Sequence, residues 1–251
     1  MFWIILLVAF FASILTFFSG FGLGTLLLAA MLCYYPPELA IALTAIVHLL
    51  NSLFKCVFNR KINWKIVLSF GFWAAIAAVL GSLTLHSLSE LSLELYDLSE
   101  GSTSAPVTII HFVMGSMLIL FSVLEIKLKG KGVRAPLWVG GGISGFMGGL
   151  SGHQGALRSF FLVREIKDVH QFIATSSFIG LLTDIARNAV YFKTISWELV
   201  SFNELIFTCM AAILGVLVGT YLLKKTSLKW LQQFVAVGIF LLGCAMLAGL
   251  V

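Results

Sequence analysis

Charge is what this chain has least of. Only 16 of its 251 residues are Lys or Arg and 11 are Asp or Glu, so charged residues make up 11%, against roughly 25% in soluble domains. There is accordingly no room for a sizeable soluble domain. Cysteine is also sparse: Cys33, Cys56, Cys209 and Cys244 lie apart in or beside apolar stretches. They show neither CxxC spacing nor a nearby His cluster, so they read as small packing residues rather than metal ligands. No nucleophile elbow, HExxH or phosphate-loop motif occurs, which argues against an enzyme and against direct ATP hydrolysis. Nothing in the sequence requires a cofactor or a metal.

What fills the chain instead is hydrophobic residue, 60% of the total, with a mean hydropathy of +1.04. This is the composition of a polytopic membrane protein, and the length accommodates about eight spans of roughly 20 residues. The apolar segments run over 2–33, 38–58, 64–88, 106–126, 136–163, 169–192, 202–223 and 228–251. Trp64, Trp138, Trp197 and Trp230 fall near segment ends, where indole rings favour the headgroup region. The first segment lacks a basic n-region and a small-residue cleavage site, so it reads as a retained helix. The formal charge of +5 does not point to nucleic acid, because the basic residues lie mainly in short loops between apolar segments.

Two of the segments are interrupted by glycine-rich polar breaks, at Ser19-Gly20-Phe21-Gly22-Leu23-Gly24 and Ser151-Gly152-His153-Gln154-Gly155. Broken apolar segments expose backbone groups at membrane depth, which is tolerated only where protein or a water-filled cavity satisfies them. Matching breaks in two halves point to a duplicated transporter with its site between the repeats. Gly24 matches Gly155, Thr44 matches Thr175, and Ala77-Ala-Val-Leu-Gly81 matches Ala211-Ala-Ile-Leu-Gly215. The offset grows from 131 to 134, as a short insertion near 190–197 would produce. The repeats are 1–130 and 131–251, together one integral membrane domain.

The charge distribution selects a topology. Eight full crossings put Arg164, Lys167, Lys224, Lys225 and Lys229 on the side opposite Arg60 and Lys61, against the positive-inside rule. If segments one and five enter and return as hairpins of half-helices, these residues and the Lys127 to Arg134 loop all face the cytoplasm. The acidic loop 87–105 then lies outside, as a loop or a short surface helix, and the repeats become inverted. The expected fold is thus all-α and polytopic, with two inverted repeats of about four apolar segments each. A long tilted helix kinked at glycine is the alternative for each broken segment.

Candidate site residues cluster at the breaks. Gly22, Gly24 and Gly155 free the backbone at half-helix N-termini, which attract anions, and Ser151, His153 and Gln154 add side-chain donors. Close helix packing through small residues is the competing reading, although packing does not require His153 or Gln154. Arg158, one turn beyond Gly155, either faces the same cavity or snorkels to the interface. Asp184 and Arg187, spaced i, i+3 deep in an apolar run, form either a substrate-facing pair or a structural ion pair. His48, Asn51 and Lys55 share one helical stripe, and Lys55 lies close to the repeat-related position of Arg187. For Lys55 the alternative is snorkelling, and for His48 a packing role.

At these residues the chain resembles the sulfite exporter TauE/SafE family. The resemblance is carried by the Gly20-Phe-Gly-Leu-Gly24 break, Pro36-Pro37-Glu38-Leu-Ala followed by Thr44, Arg60-Lys-Ile-Asn-Trp64, Ser151-Gly-His-Gln-Gly-Ala-Leu-Arg158 and Asp184-x-x-Arg187-x-x-x-Tyr191. It covers nearly the whole chain. The first break lacks the longer glycine run frequent in the family, and Lys167-Asp168 stands where the first repeat has Pro-Pro. The resemblance implies a secondary transporter of small sulfur-containing anions, such as sulfite or organosulfonates, in the cytoplasmic membrane. A passive anion channel on the same fold and a non-transporting membrane scaffold are the competing classes. The expected partners are the anion and the lipid bilayer, with a homodimer left open.

Overall fold

The computed structural model describes residues 2–19, 22–58, 60–91, 93–97, 106–128, 132–222 and 229–250. The described residues are predominantly helical, as expected, apart from one short strand pair. Helix α1 spans Phe2–Ser19, α2 Leu23–Leu32 and α3 Pro37–Phe58. One long helix follows, made of α4 Trp64–Ile66, a π-helical turn Val67–Gly71 and α5 Phe72–Glu90. After the loop come α6 Ile109–Leu128, α7 Leu137–Ser151, α8 Gln154–Leu162, α9 Val169–Thr194, α10 Phe202–Leu222 and α11 Lys229–Leu247. Pro37–Phe58, Trp64–Glu90 and Phe202–Tyr221 are each long and apolar enough to cross a bilayer, and exposed Leu, Ile, Phe and Trp side chains cover their outer faces. The chain is a multi-pass membrane protein.

Where the sequence suggested a loop or surface helix at 87–105, α5 instead continues to Glu90 and a strand Glu94–Tyr96 pairs antiparallel with Val107–Thr108. The residues 98–105 between them lie outside the described range. Tyr96 closes this feature onto the bundle by donating its hydroxyl to the Leu247 carbonyl at 2.6 Å.

The helices pack in matched pairs: α7 on α5, α1 on α10, α3 on α9 and α6 on α11. The α5–α7 contact is a backbone contact made possible by glycine. A Cβ on Gly141, Gly145 or Gly149 would lie 2.2, 2.0 or 2.1 Å from the carbonyl oxygens of Phe70, Ala74 and Ala78, and one on Gly81 would lie 2.1 Å from that of Phe146. Small residues allow this approach, and dispersion between closely spaced helices then replaces the hydrophobic drive that a bilayer does not supply. The rigid seam holds the second break against the core.

The two ends of each broken segment lie near each other. Phe2 and Ile5, at the start of α1, line one small cavity with Met31 and Tyr35, at and beyond the end of α2. The Val133 N–H, just before α7, donates to the Phe160 carbonyl near the end of α8 at 3.0 Å. One end of the bundle therefore gathers residues 132–133 and 160–164, with the Asn63 N–H donating to Thr175 there too at 2.9 Å. The opposite end gathers Tyr35 with Glu204, and Tyr96 with Leu247.

Candidate functional site

The breaks meet in the middle of the molecule. Gly22, the residue before α2, has φ 128°, and Gly152, which ends α7, has φ 77°. Both values lie where side chains with a Cβ are strained. The two turns touch: a Cβ on Gly24 would lie 3.2 Å from the Gly152 carbonyl oxygen and 3.8 Å from His48 Cδ2. The N-terminus of α2 is partly satisfied from within, since the Leu23 N–H donates to Thr16 Oγ at 3.2 Å. At α8, His153 stands at the capping position and its side chain makes no capping bond.

Around this crossing lie all the buried charged side chains of the described residues: Lys55, Arg158, Asp184 and Arg187, none more than 4% exposed. Asp184 is the hub. Its Oδ1 accepts from Gln154 Nε2 at 2.6 Å, from Arg187 Nε at 3.0 Å, and pairs with Arg187 Nη2 at 2.8 Å. Its Oδ2 accepts from His48 Nδ1 at 2.6 Å and from the Ser52 hydroxyl at 3.4 Å. A carboxylate surrounded in this way acts as the common acceptor, with His48 Nδ1 as one of its donors. Asp184 thus orients its neighbours and has little capacity left for a ligand.

Gln154 carries the network onward, because its Oε1 accepts from Arg158 Nη1 at 3.1 Å while its amide donates to Asp184. Only one amide orientation meets both demands. Arg187 also donates through Nη1 to the Gly148 carbonyl at 3.1 Å, and Tyr191 donates to the Gly149 carbonyl. These bonds add side-chain donors to carbonyls in the last turn of α7, where Gly148 also accepts from the Gly152 N–H at 3.1 Å. His153 bonds through Nδ1 to the Ser151 carbonyl at 2.8 Å and stacks on Phe121 with ring centroids 5.0 Å apart. Its Nε2 is buried without a partner. Ser151 donates back to the Met147 carbonyl at 3.0 Å, and Gly155 is half-buried in the first turn of α8.

Beside the network lies a small, partly open polar cavity. His48, Lys55 and Arg158 line it with the hydroxyl residues Thr16, Ser52, Ser176 and Ser177; Ile173 is its one apolar wall residue. The buried set holds three cationic side chains and one carboxylate, a surplus of positive charge in a water-poor interior. Such a surplus is suited to an anion.

The match to known proteins agrees with the geometry: a family model for the sulfite exporter TauE/SafE proteins matches residues 5–246, nearly the whole chain. The chain belongs to the sulfite exporter TauE/SafE family. Proteins of the TauE/SafE family are exporter-type anion transporters rather than enzymes. No curated protein and no solved structure matches the chain.

Within this TauE/SafE member, the structure brings Gly24, Lys55, Ser151, His153, Gln154, Arg158, Asp184 and Arg187 into one buried region, with Gly22 and Gly155 at the turns beside it. Neither Lys55 nor Arg158 snorkels; both are turned inward. Sequence reasoning passed over Thr16, Ser52, Ser176 and Ser177. The signal was present on α9, where Ser176, Gly180, Asp184, Arg187 and Tyr191 recur at spacings of three and four and define one polar stripe. Hydroxyl residues are common in membrane helices, so their types alone did not mark it.

Proposed function

We propose that the chain is a secondary transporter that exports small anions, sulfur oxyanions or organosulfonates such as sulfite or sulfoacetate, across the cytoplasmic membrane. The observation that carries this is the buried cationic network of Arg187, Arg158, Lys55 and His48 assembled where the two helix breaks cross. Arg187, held by Asp184, supplies charge at the crossing. The first turn of α8 and the free Nε2 of His153 supply further polar contacts.

In this reading residues 1–130 and 131–251 are inverted repeats, and segments one and five are re-entrant hairpins of half-helices. Two observations support it. The helix pairs match under exchange of the halves, and the two ends of each broken segment lie near each other. Helix α9 is longer than α3, 26 residues against 22, in the direction of the growing offset. The end carrying Arg60, Lys61, Arg134, Arg164 and Lys167 is cytoplasmic and the end carrying Glu94 and Glu204 is outside, with Lys193 the one basic exception. Rocking of one repeat against the other would expose the site alternately to each side.

The deciding experiment is anion flux in proteoliposomes across sulfite, sulfonates and carboxylates, with Arg187→Ala and His153→Ala beside the parent. Saturable sulfur-anion exchange, greatly reduced in Arg187→Ala protein that still inserts, is the expected result. Large unitary currents indicate a channel instead. Absence of both uptake and binding for every anion indicates a scaffold.

A further inference from the structure

Arg158 is buried at 3% exposure, yet no carboxylate of the described residues pairs with it. Its Nε donates to Ser176 Oγ at 2.8 Å and its Nη1 to Gln154 at 3.1 Å, both neutral groups, and Nη2 has no acceptor among the described residues. Asp184, the one buried carboxylate described, is already engaged by His48, Gln154 and Arg187. A buried charge without a counter-ion is costly by several kcal/mol. Arg158 lines the small polar cavity together with Lys55 and Ser177, whose hydroxyl has no protein partner among the described residues. Across the cavity wall, Gly180 leaves the space that Arg158 occupies: a Cβ there would lie 3.1 Å from Nη1 and 3.3 Å from Nη2.

We propose that this cavity, beside the helix-break crossing and joined to it through Gln154, is an anion subsite formed by Arg158, Lys55, Ser176 and Ser177, and that it takes a compact oxyanion with three or more oxygens on one centre. Donors of three kinds converge from α3, α8 and α9: a guanidinium edge, an ammonium and a hydroxyl. Oxygens pointing in different directions from one sulfur meet all of them, whereas the two coplanar oxygens of a carboxylate do not. Lys55 lies near the end of α3 and Ser176 and Ser177 near the start of α9, so the subsite sits toward the basic end of the bundle. An anion there is one side chain, Gln154, away from the Asp184–Arg187 pair. It is the position an anion occupies first when it arrives from that end. The order of occupation rests on the transport reading; the binding itself does not.

The test is calorimetric binding of sulfite, with methanesulfonate and acetate for comparison, to purified parent, Ser177→Ala and Arg158→Lys proteins. Each substitution is expected to weaken sulfite binding about 10-fold, equivalent to about 1.4 kcal/mol; acetate binds weakly to all three. In vesicles of defined orientation, Ser177→Ala raises the sulfite KM from the basic-loop side and leaves the KM from the other side unchanged. Parent-like sulfite affinity in Ser177→Ala overturns the subsite, whether or not Arg158→Lys folds. So does an equal KM rise from both sides. Sulfite binding by the parent that Ser177→Ala weakens, without any flux, leaves the subsite standing and removes the transport function instead.

Discussion

Neutralising either partner of the Asp184–Arg187 pair isolates a buried charge, and the consequences follow from the bonds each side chain makes. In Arg187→Gln, Asp184 keeps Gln154, His48 and Ser52 but loses its closest permanent cation, and the Gly148 carbonyl keeps only the Gly152 N–H as donor. In Asp184→Asn, Arg187 keeps Gly148 but loses its counter-charge, and the new amide N–H group confronts donors that the carboxylate accepted. Removing one member of a buried pair costs about 3–5 kcal/mol. For a chain of this size that lowers the melting temperature by about 6–20 °C. The double variant leaves no isolated charge at the pair, so its loss should fall short of the sum of the singles by about 1–3 kcal/mol. Thermal unfolding of the four proteins in one detergent closes the cycle. Flux measured beside it separates stability from function: the double variant recovers melting temperature but not anion transport, because Arg187 is still absent. Additive losses in stability would refute the pairing, and recovered flux in the double variant would refute a substrate-facing Arg187.

Further outcomes follow from single contacts. Gly145→Ala forces a methyl to 2.0 Å from the Ala74 carbonyl and is expected to separate α5 from α7, destabilising the protein by about 1–3 kcal/mol in thermal unfolding. Gly152→Ala places a Cβ at φ 77° and costs about 1–2 kcal/mol, with Gly152→Asn milder because Asn tolerates this region. Tyr191→Phe leaves the Gly149 carbonyl without its hydroxyl donor, a loss of about 1–3 kcal/mol by the same assay. Asp168 caps α9 by accepting from the Gln171 N–H at 2.6 Å, and that bond first, then nearby Lys61 and His170, hold its carboxyl below the usual range. Its contribution is therefore complete above the unfolded carboxyl pKa and fades as pH falls through the lower folded value. Asp168→Asn retains a cap and flattens that acid-side dependence of the melting curve, measured against the parent.

Much of the helix plan was legible because each apolar segment is long and each break is marked by glycine and polar residues together. The broken segments, the depth of Asp184 and Arg187, and the stripe of His48 and Lys55 all follow from spacing in one dimension. The acidic loop was less readable: its Ser and Leu residues carry no clear period, and the short strand pair there depends on residues 94–96 meeting 107–108 across the loop. Hydroxyl residues were missed for a related reason. Ser52 and Ser177 acquire significance only by facing Asp184 or the cavity beside Arg158, and neither neighbour is near in sequence.

By itself the sequence determined that the chain is a helical membrane protein with two interrupted segments and a few charges too deep to be incidental. Burying charge in an apolar setting is costly wherever it occurs, so those residues mark themselves before any fold is known. Which of them act together was decided only by tertiary structure. Asp184 and Arg187 form a pair in sequence, yet the hub includes His48 from 136 residues away and Gln154 from 30 away. Arg158, as plausible a snorkelling residue as any by position, is instead left inside without a carboxylate. The reason is physical: hydrogen bonds and ion pairs act over about 3 Å, and only packing of α3, α8 and α9 brings distant residues within that reach.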